Sequence, residues 1–241
     1  MNYSQFLNDL NVKIQNKAKS IPVSARTFIN QILRNEVSNY DYISTIRRAT
    51  TTESTASSGI TQYSLPSDMK SEALIDIQLN DKLNAASYIK YRKVSPNVFR
   101  TMRMSDTVAF DYDEGTSYLL TNITTDADSD PIEIIYYSKY PWKSGSTWML
   151  DSTSNEDILN ATELEYEVWL NKCAYEASKA IPLSDTQIQL LRADYEDSKN
   201  KYANKYPSRR IKERNFMFRP SINTNKRNLK LDNFDSVNNA L

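Results

Sequence analysis

The sequence predicts an α+β fold: a helical bundle built from both ends of the chain, a small antiparallel β-sandwich or barrel inserted between them, and an extended C-terminal tail. Three observations predict it. Apolar residues recur at helical spacing at the start of the chain and again after Trp148, they alternate every second residue in between, and the periodicity fails beyond Pro207. The corresponding segments are residues 1–58 (N-terminal helices), 59–140 (β-domain), 141–206 (a helical hairpin packing on the N-terminal helices) and 207–241 (a basic tail).

The first helix is marked by Tyr3, Phe6, Leu7, Leu10 and Ile14, with Asn, Lys and Gln between them. Pro22 breaks the chain, and Ser24 is placed to N-cap a second helix. Its apolar stripe is Phe28, Ile29, Ile32, Leu33 and Val37, running to about Tyr40, with Ile43 and Ile46 on a less regular continuation. Residues 50–59 are small and polar and are expected to form a loop. Strands follow: Ile60 to Leu65, which Pro66 ends; Ile75, Ile77 and Leu79 alternating with polar residues; Tyr88 to Lys93; Thr107 to Tyr112; Thr116 to Leu120; and Ile132 to Tyr137. Asp113-Glu114-Gly115 is a tight hairpin between two of them.

The returning helical pattern carries Leu164, Val168, Trp169, Leu170, Cys173, Ala174 and Ala177, with Glu163, Glu165 and Glu167 in its first turns, as the helix dipole favours. After Pro182, Ser184 and Gln187 form a capping box for a last helix through Ile188, Leu191 and Tyr195 to about Tyr206. No internal repeat of fixed period is visible.

Composition narrows the chemistry. The chain has 39% hydrophobic and 25% charged residues, the profile of a globular protein. No stretch approaches the ~18 consecutive apolar residues of a membrane helix, and the first residues lack the basic and apolar regions of a secretory signal. With one cysteine, no internal disulfide forms, and folding in a reducing cytoplasm is expected. There is no histidine, the commonest general base and metal ligand. The three glycines are isolated, so neither a Walker loop nor a dinucleotide fingerprint is present. Cys173 lies on an apolar helix face without an activating base and is expected to be a buried structural thiol. Asp126, Asp128 and Asp130 have the spacing of a calcium loop, but Pro131 and Tyr137 occupy the positions that require glycine and glutamate. No carboxylate pair is singled out by its setting. The sequence therefore points to a structural protein without catalytic residues, cofactor or metal.

Charge is balanced overall, at 30 bases and 30 acids, but not in its distribution. Residues 207–241 hold eight bases against three acids, so a body of net −5 carries a tail of net +5. Such a tail suits nucleic acid, an acidic protein surface or the acidic body of another copy. Within it, Phe216, Met217, Phe218 and Phe234 are apolar residues with no core of their own, accompanied by Arg209, Arg210, Arg214 and Arg219. Aromatic anchors among arginines characterise a segment that orders on a protein surface, so these eight residues are the candidate interface. The tyrosines at 88, 91, 112, 118, 136 and 137 are compatible with a base-stacking platform. Their spacing suits a half-buried sheet equally, and the bases lie elsewhere, which favours the sheet.

Three stretches carry a family resemblance: Gln62-Tyr63-Ser64-Leu65-Pro66-Ser67-Asp68, Ile134-Ile135-Tyr136-Tyr137-Ser138-Lys139-Tyr140-Pro141, and Ser146-Thr147-Trp148-Met149-Leu150. In this order, over residues 1–206, the chain resembles the head-to-tail adaptor proteins of short-tailed bacteriophages, the tail-tubular-protein-A or gatekeeper-like group. The low-GC style of its composition suits a crAss-like phage. Ser146-Thr147 departs from the family's Thr-Asn before the tryptophan, and the basic tail is longer than many members carry. The resemblance implies a dodecameric homo-oligomeric ring at the head-tail junction of the virion, assembled in the host cytoplasm. It also implies docking on the portal protein, contact with tail and ring proteins, and non-specific DNA in the lumen, with no membrane partner. A nucleic-acid-binding module using the tail, and a β-sandwich tail or host-attachment protein, are the alternatives.

Overall fold

The computed structural model describes residues 1–14, 25–51, 53–57, 60–79, 92–102, 107–113, 116–121, 132–181 and 183–211. Helices at both ends of this range flank three β-sheets, so the α+β class holds.

Four helices make one module: α1 (Tyr3–Lys13), α2 (Ala25–Asn39), α4 (Glu163–Ser178) and α5 (Asp185–Lys205). Each of three carries a reciprocal capping box, Asn2 with Gln5, Thr162 with Glu165 and the expected Ser184 with Gln187, which satisfies backbone donors that a helix start leaves free. Their apolar faces converge on Phe6, Leu10, Ile29, Leu33, Val37, Val168, Trp169 and Cys173, all fully buried. A small three-stranded antiparallel sheet closes this core, formed by β9 (Trp142–Ser144), β10 (Thr147–Met149) and β11 (Ile158–Leu159) in the order β10-β9-β11. It delivers Trp142 into the helical core, 6.0 Å from the Tyr3 ring.

The β-module contains a three-stranded sheet, β1 (Ile46–Thr51), β8 (Ile132–Ser138) and β4 (Met69–Leu79), with β8 central. A five-stranded sheet runs β2 (Glu53–Ser57), β3 (Ile60–Ser64), β7 (Thr116–Thr121), β6 (Thr107–Asp113) and β5 (Arg92–Lys93). Tyr63, Val108 and Leu119 from the second sheet meet Leu74, Ile77, Ile132, Ile134 and Tyr136 from the first, giving a sandwich core. All pairs are antiparallel except β5 with β6. The β6–β7 register closes at Asp113↔Thr116, as a two-residue hairpin requires.

Four sequence expectations change. The second helix does not continue past Asn39: residues 43–45 form one 3₁₀ turn and β1 begins at Ile46. Residues 50–59 are not a loop, because β1 extends to Thr51 and β2 spans Glu53–Ser57. Threonine is β-branched and favours strands, and β2 is an edge strand, where polar residues are tolerated. In β4 Leu74 joins Ile77 in the sandwich core while Ile75 is only partly buried, because the pairing with β8 shifts register on both sides of Leu74. A short helix, α3 (Pro96–Met102), unforeseen in the sequence, packs on β6 through the buried Phe99. Of the strand expected at Tyr88 to Lys93, only Arg92–Lys93 lies within the described residues.

Candidate functional site

The three resemblance-bearing stretches come together where the helical and β-modules meet. Asp68, in the turn before β4, accepts hydrogen bonds from Tyr136 Oη (2.9 Å) and Ser138 Oγ (2.7 Å) at the end of β8. Its carbonyl accepts from the Lys139 N–H at 2.8 Å. Arg47 of β1 donates to the carbonyls of Ser44 and Ile46, and its guanidinium stacks 3.3 Å from the centroid of Trp148. These residues fasten the sheet to the helical module. Tyr136 and Tyr137 are successive on β8, point to opposite faces and are both buried, as expected of sheet residues and not of a stacking platform.

The start of the tail lies at the same junction. Pro207 follows α5, and residues 208–211 run across the turn after α2 onto the β-module. Arg210 donates from Nε (2.7 Å) and Nη2 (2.6 Å) to the two carboxylate oxygens of Asp41, a bidentate pair, and Ser208 Oγ donates to the same carboxylate at 2.6 Å. The Arg209 N–H donates to Tyr137 Oη (3.1 Å), and the Ile211 N–H to the Leu74 carbonyl (2.9 Å). The Ile211 side chain packs on the sandwich core. Beneath them Lys70 is buried, donates to the Tyr40 carbonyl at 2.6 Å and lies 3.7 Å from Asp41. Burial pushes its ammonium down to about 8, against the opposing pull of Asp41. Burial alone pushes the Asp41 carboxyl up, but the hydrogen bonds from Arg210 and Ser208 outweigh it and hold the group below its ordinary value.

Of the eight candidate interface residues, the structure thus places Arg209 and Arg210 against the body, Arg210 fully engaged with Asp41. Arg214, Phe216, Met217, Phe218, Arg219 and Phe234 lie outside the described residues, as do Asp126, Asp128 and Asp130. Sequence reasoning missed Asp41 and Lys70. Asp41 did carry a signal: a carboxylate just past the end of α2 opposes the helix dipole unless a cation compensates it. Lys70 carried none.

The buried acids Glu36 and Glu165 are satisfied internally. Glu36 accepts from Tyr42 Oη (2.7 Å) and Tyr195 Oη (3.1 Å), and Glu165 from the Ser44 and Thr162 N–H groups (3.0 and 2.7 Å) and Tyr202 Oη (3.2 Å). Cys173 is fully buried, and burial pushes its thiol up, away from reactivity. Among the described residues no cluster of acids and cysteine is arranged to hold a metal, and no helix is long and apolar enough to cross a membrane. A groove of about 370 Å³ between α2, α4 and α5 has Phe28, Ile32 and Tyr195 in its walls and Gln31, Asn35 and Asn39 among its polar lining. Such surfaces suit protein contact better than chemistry.

The family model described as SU10 adaptor protein matches residues 1–221. The chain belongs to the SU10 adaptor protein family. Membership makes it a phage structural adaptor, with a non-enzymatic role, a place in the virion and interactions with other head-tail proteins. The match takes in the whole helix–sandwich–helix body of this SU10 adaptor, the junction with its Asp41–Arg210 pair, and the tail as far as Phe218 and Arg219. No curated protein matches the chain.

Proposed function

We propose that this SU10 adaptor is the repeating subunit of a connector ring at the head-tail junction. It docks on the portal protein, joins it to the tail and lines the channel through which DNA passes. The observation that carries this reading is the family match over residues 1–221, which includes the first part of the basic tail. Supporting it, the buried carboxylates Glu36 and Glu165 are occupied by structural hydrogen bonds, and the aromatic and basic residues from Arg214 to Arg219 follow the segment that ends in the Ile211 contact with Leu74. Phe216, Met217, Phe218 and Phe234 are the apolar anchors of the arm, and Arg214 and Arg219 its charge contacts with an acidic protein surface. Repeated heterologous contacts between copies close the ring, here a dodecamer. DNA contact in the lumen is non-specific and electrostatic.

Electron microscopy of the purified chain, alone and mixed with its portal, is expected to show dodecameric rings. A protein that stays monomeric in both conditions refutes the reading.

A further inference from the structure

The helical and β-modules are joined covalently at short connections, the turn at 40–45 after α2 and residues 139–141 between β8 and β9. Residues 207–211 add a non-covalent tie beside the Arg47–Trp148 stack and the Lys70 bond to the Tyr40 carbonyl. Ser208 and Arg210 grip Asp41 inside the first of those connections, while Arg209 and Ile211 grip β8 and β4 of the sandwich. One five-residue segment therefore touches the link and both strands that the link must orient.

We infer that residues 207–211 are a releasable strap that fixes the angle between the helical and β-modules of this SU10 adaptor. What makes the strap releasable is the charge count beneath it. With the strap in place Asp41 faces two cations, Lys70 and Arg210. With the strap away, Asp41 still faces Lys70 at 3.7 Å, a buried pair of net zero charge. Stripping one partner from a buried ion pair is costly because it strands an uncompensated charge. Here nothing is stranded. Arg210 itself is only half-buried and regains water on leaving. Release gives up the three hydrogen bonds on the Asp41 carboxylate, the backbone bonds from Arg209 and Ile211 and the packing of Ile211, and leaves no buried charge uncompensated. Among the contacts of the strap, the Ile211 N–H bond to Leu74 lies furthest towards the C-terminus, so a partner pulling on residues beyond 211 loads that bond first. Seating the arm and freeing the inter-module angle become one event.

The test needs only the isolated full chain, so its outcome is independent of ring formation. Spin labels on cysteines at Val12→Cys, exposed on α1, and Thr101→Cys, exposed on α3, report the distance between modules by pulsed electron resonance, while Cys173 stays buried and unlabelled. The unmodified strap gives a single narrow distance. Arg210→Met and Asp41→Asn are expected to abolish that single distance while circular dichroism is retained. A narrow, unmoved distribution in both variants overturns the proposal. Should either fail to fold, Ser208→Ala and Arg210→Lys decide: broadening supports the strap, and unchanged distances refute it.

Discussion

Glu36 and Glu165 sit inside the helical module with phenols and backbone N–H groups as partners, so each serves as an acceptor hub for several elements at once. Glu165 joins the N-cap of α4, the turn before β1 and α5 through Tyr202. Glu165→Ala is expected to destabilise the fold by about 3 kcal/mol, as removal of a shared buried acceptor leaves several donors unpaired; chemical denaturation measures it. Glu165→Gln retains an acceptor and should cost less. Lys70 and the tyrosines govern the alkaline limb of stability. The folded Lys70 loses its proton near 8, whereas the unfolded side chain keeps it to about 10.4, so the unfolded state binds more protons in that window and stability rises with pH. Tyr42, Tyr136, Tyr166, Tyr195 and Tyr202 are shifted the other way, chiefly by burial and next by neighbouring carboxylates, or by a hydrogen bond to one. Folded, they hold protons that the unfolded chain releases near pH 10, and stability falls steeply above that point. Urea midpoints should therefore rise from pH 8 towards 10 and then collapse, and Lys70→Met should abolish only the rise.

At the scale of elements, the helices were legible because periodicity and caps agree. The Ser184–Gln187 box is present as read, and Ser184→Ala should lower stability by about 1 kcal/mol, observable as a lower melting temperature. The stripe Phe28, Ile29, Ile32, Leu33, Val37 faces inward with Ile29, Leu33 and Val37 fully buried. Strands β1 and β2 were hidden because Thr and Ser make strands and loops look alike when no apolar alternation accompanies them. β4 was half legible: its second part, Ile75 to Leu79, was visible, but its start at Met69 and its register shift were not. Glu72 shows why, since it adopts a left-handed backbone (φ 50°) that no sequence rule assigns to glutamate, and its carboxylate pairs with Lys93 of β5. The junction residues were visible as family-like stretches, but their meeting point depends on strands distant in sequence and could not be read from spacing.

For the whole molecule, the boundary between body and arm moves from Pro207 to Ile211, because Ser208, Arg210 and Ile211 are committed to the body. Deleting residues 212–241 is expected to leave the melting temperature within a few degrees and to weaken portal docking, measured by co-sedimentation. Unchanged docking would refute the arm. Deleting from 207 instead removes the contacts to Asp41, Tyr137 and Leu74 and should loosen the body as well. The helical module has a further consequence, in the timing of synthesis. Its first two helices are complete by Asn39, yet the helix that covers their apolar faces begins only at Glu163. At roughly 5–20 residues per second on the ribosome, α1 and α2 wait on the order of ten seconds before α4 is made, while the sandwich between them folds first. Ile29, Leu33 and Val37 are bare for that interval, which makes the nascent N-terminal helices, rather than the finished adaptor, the species expected to need chaperone protection.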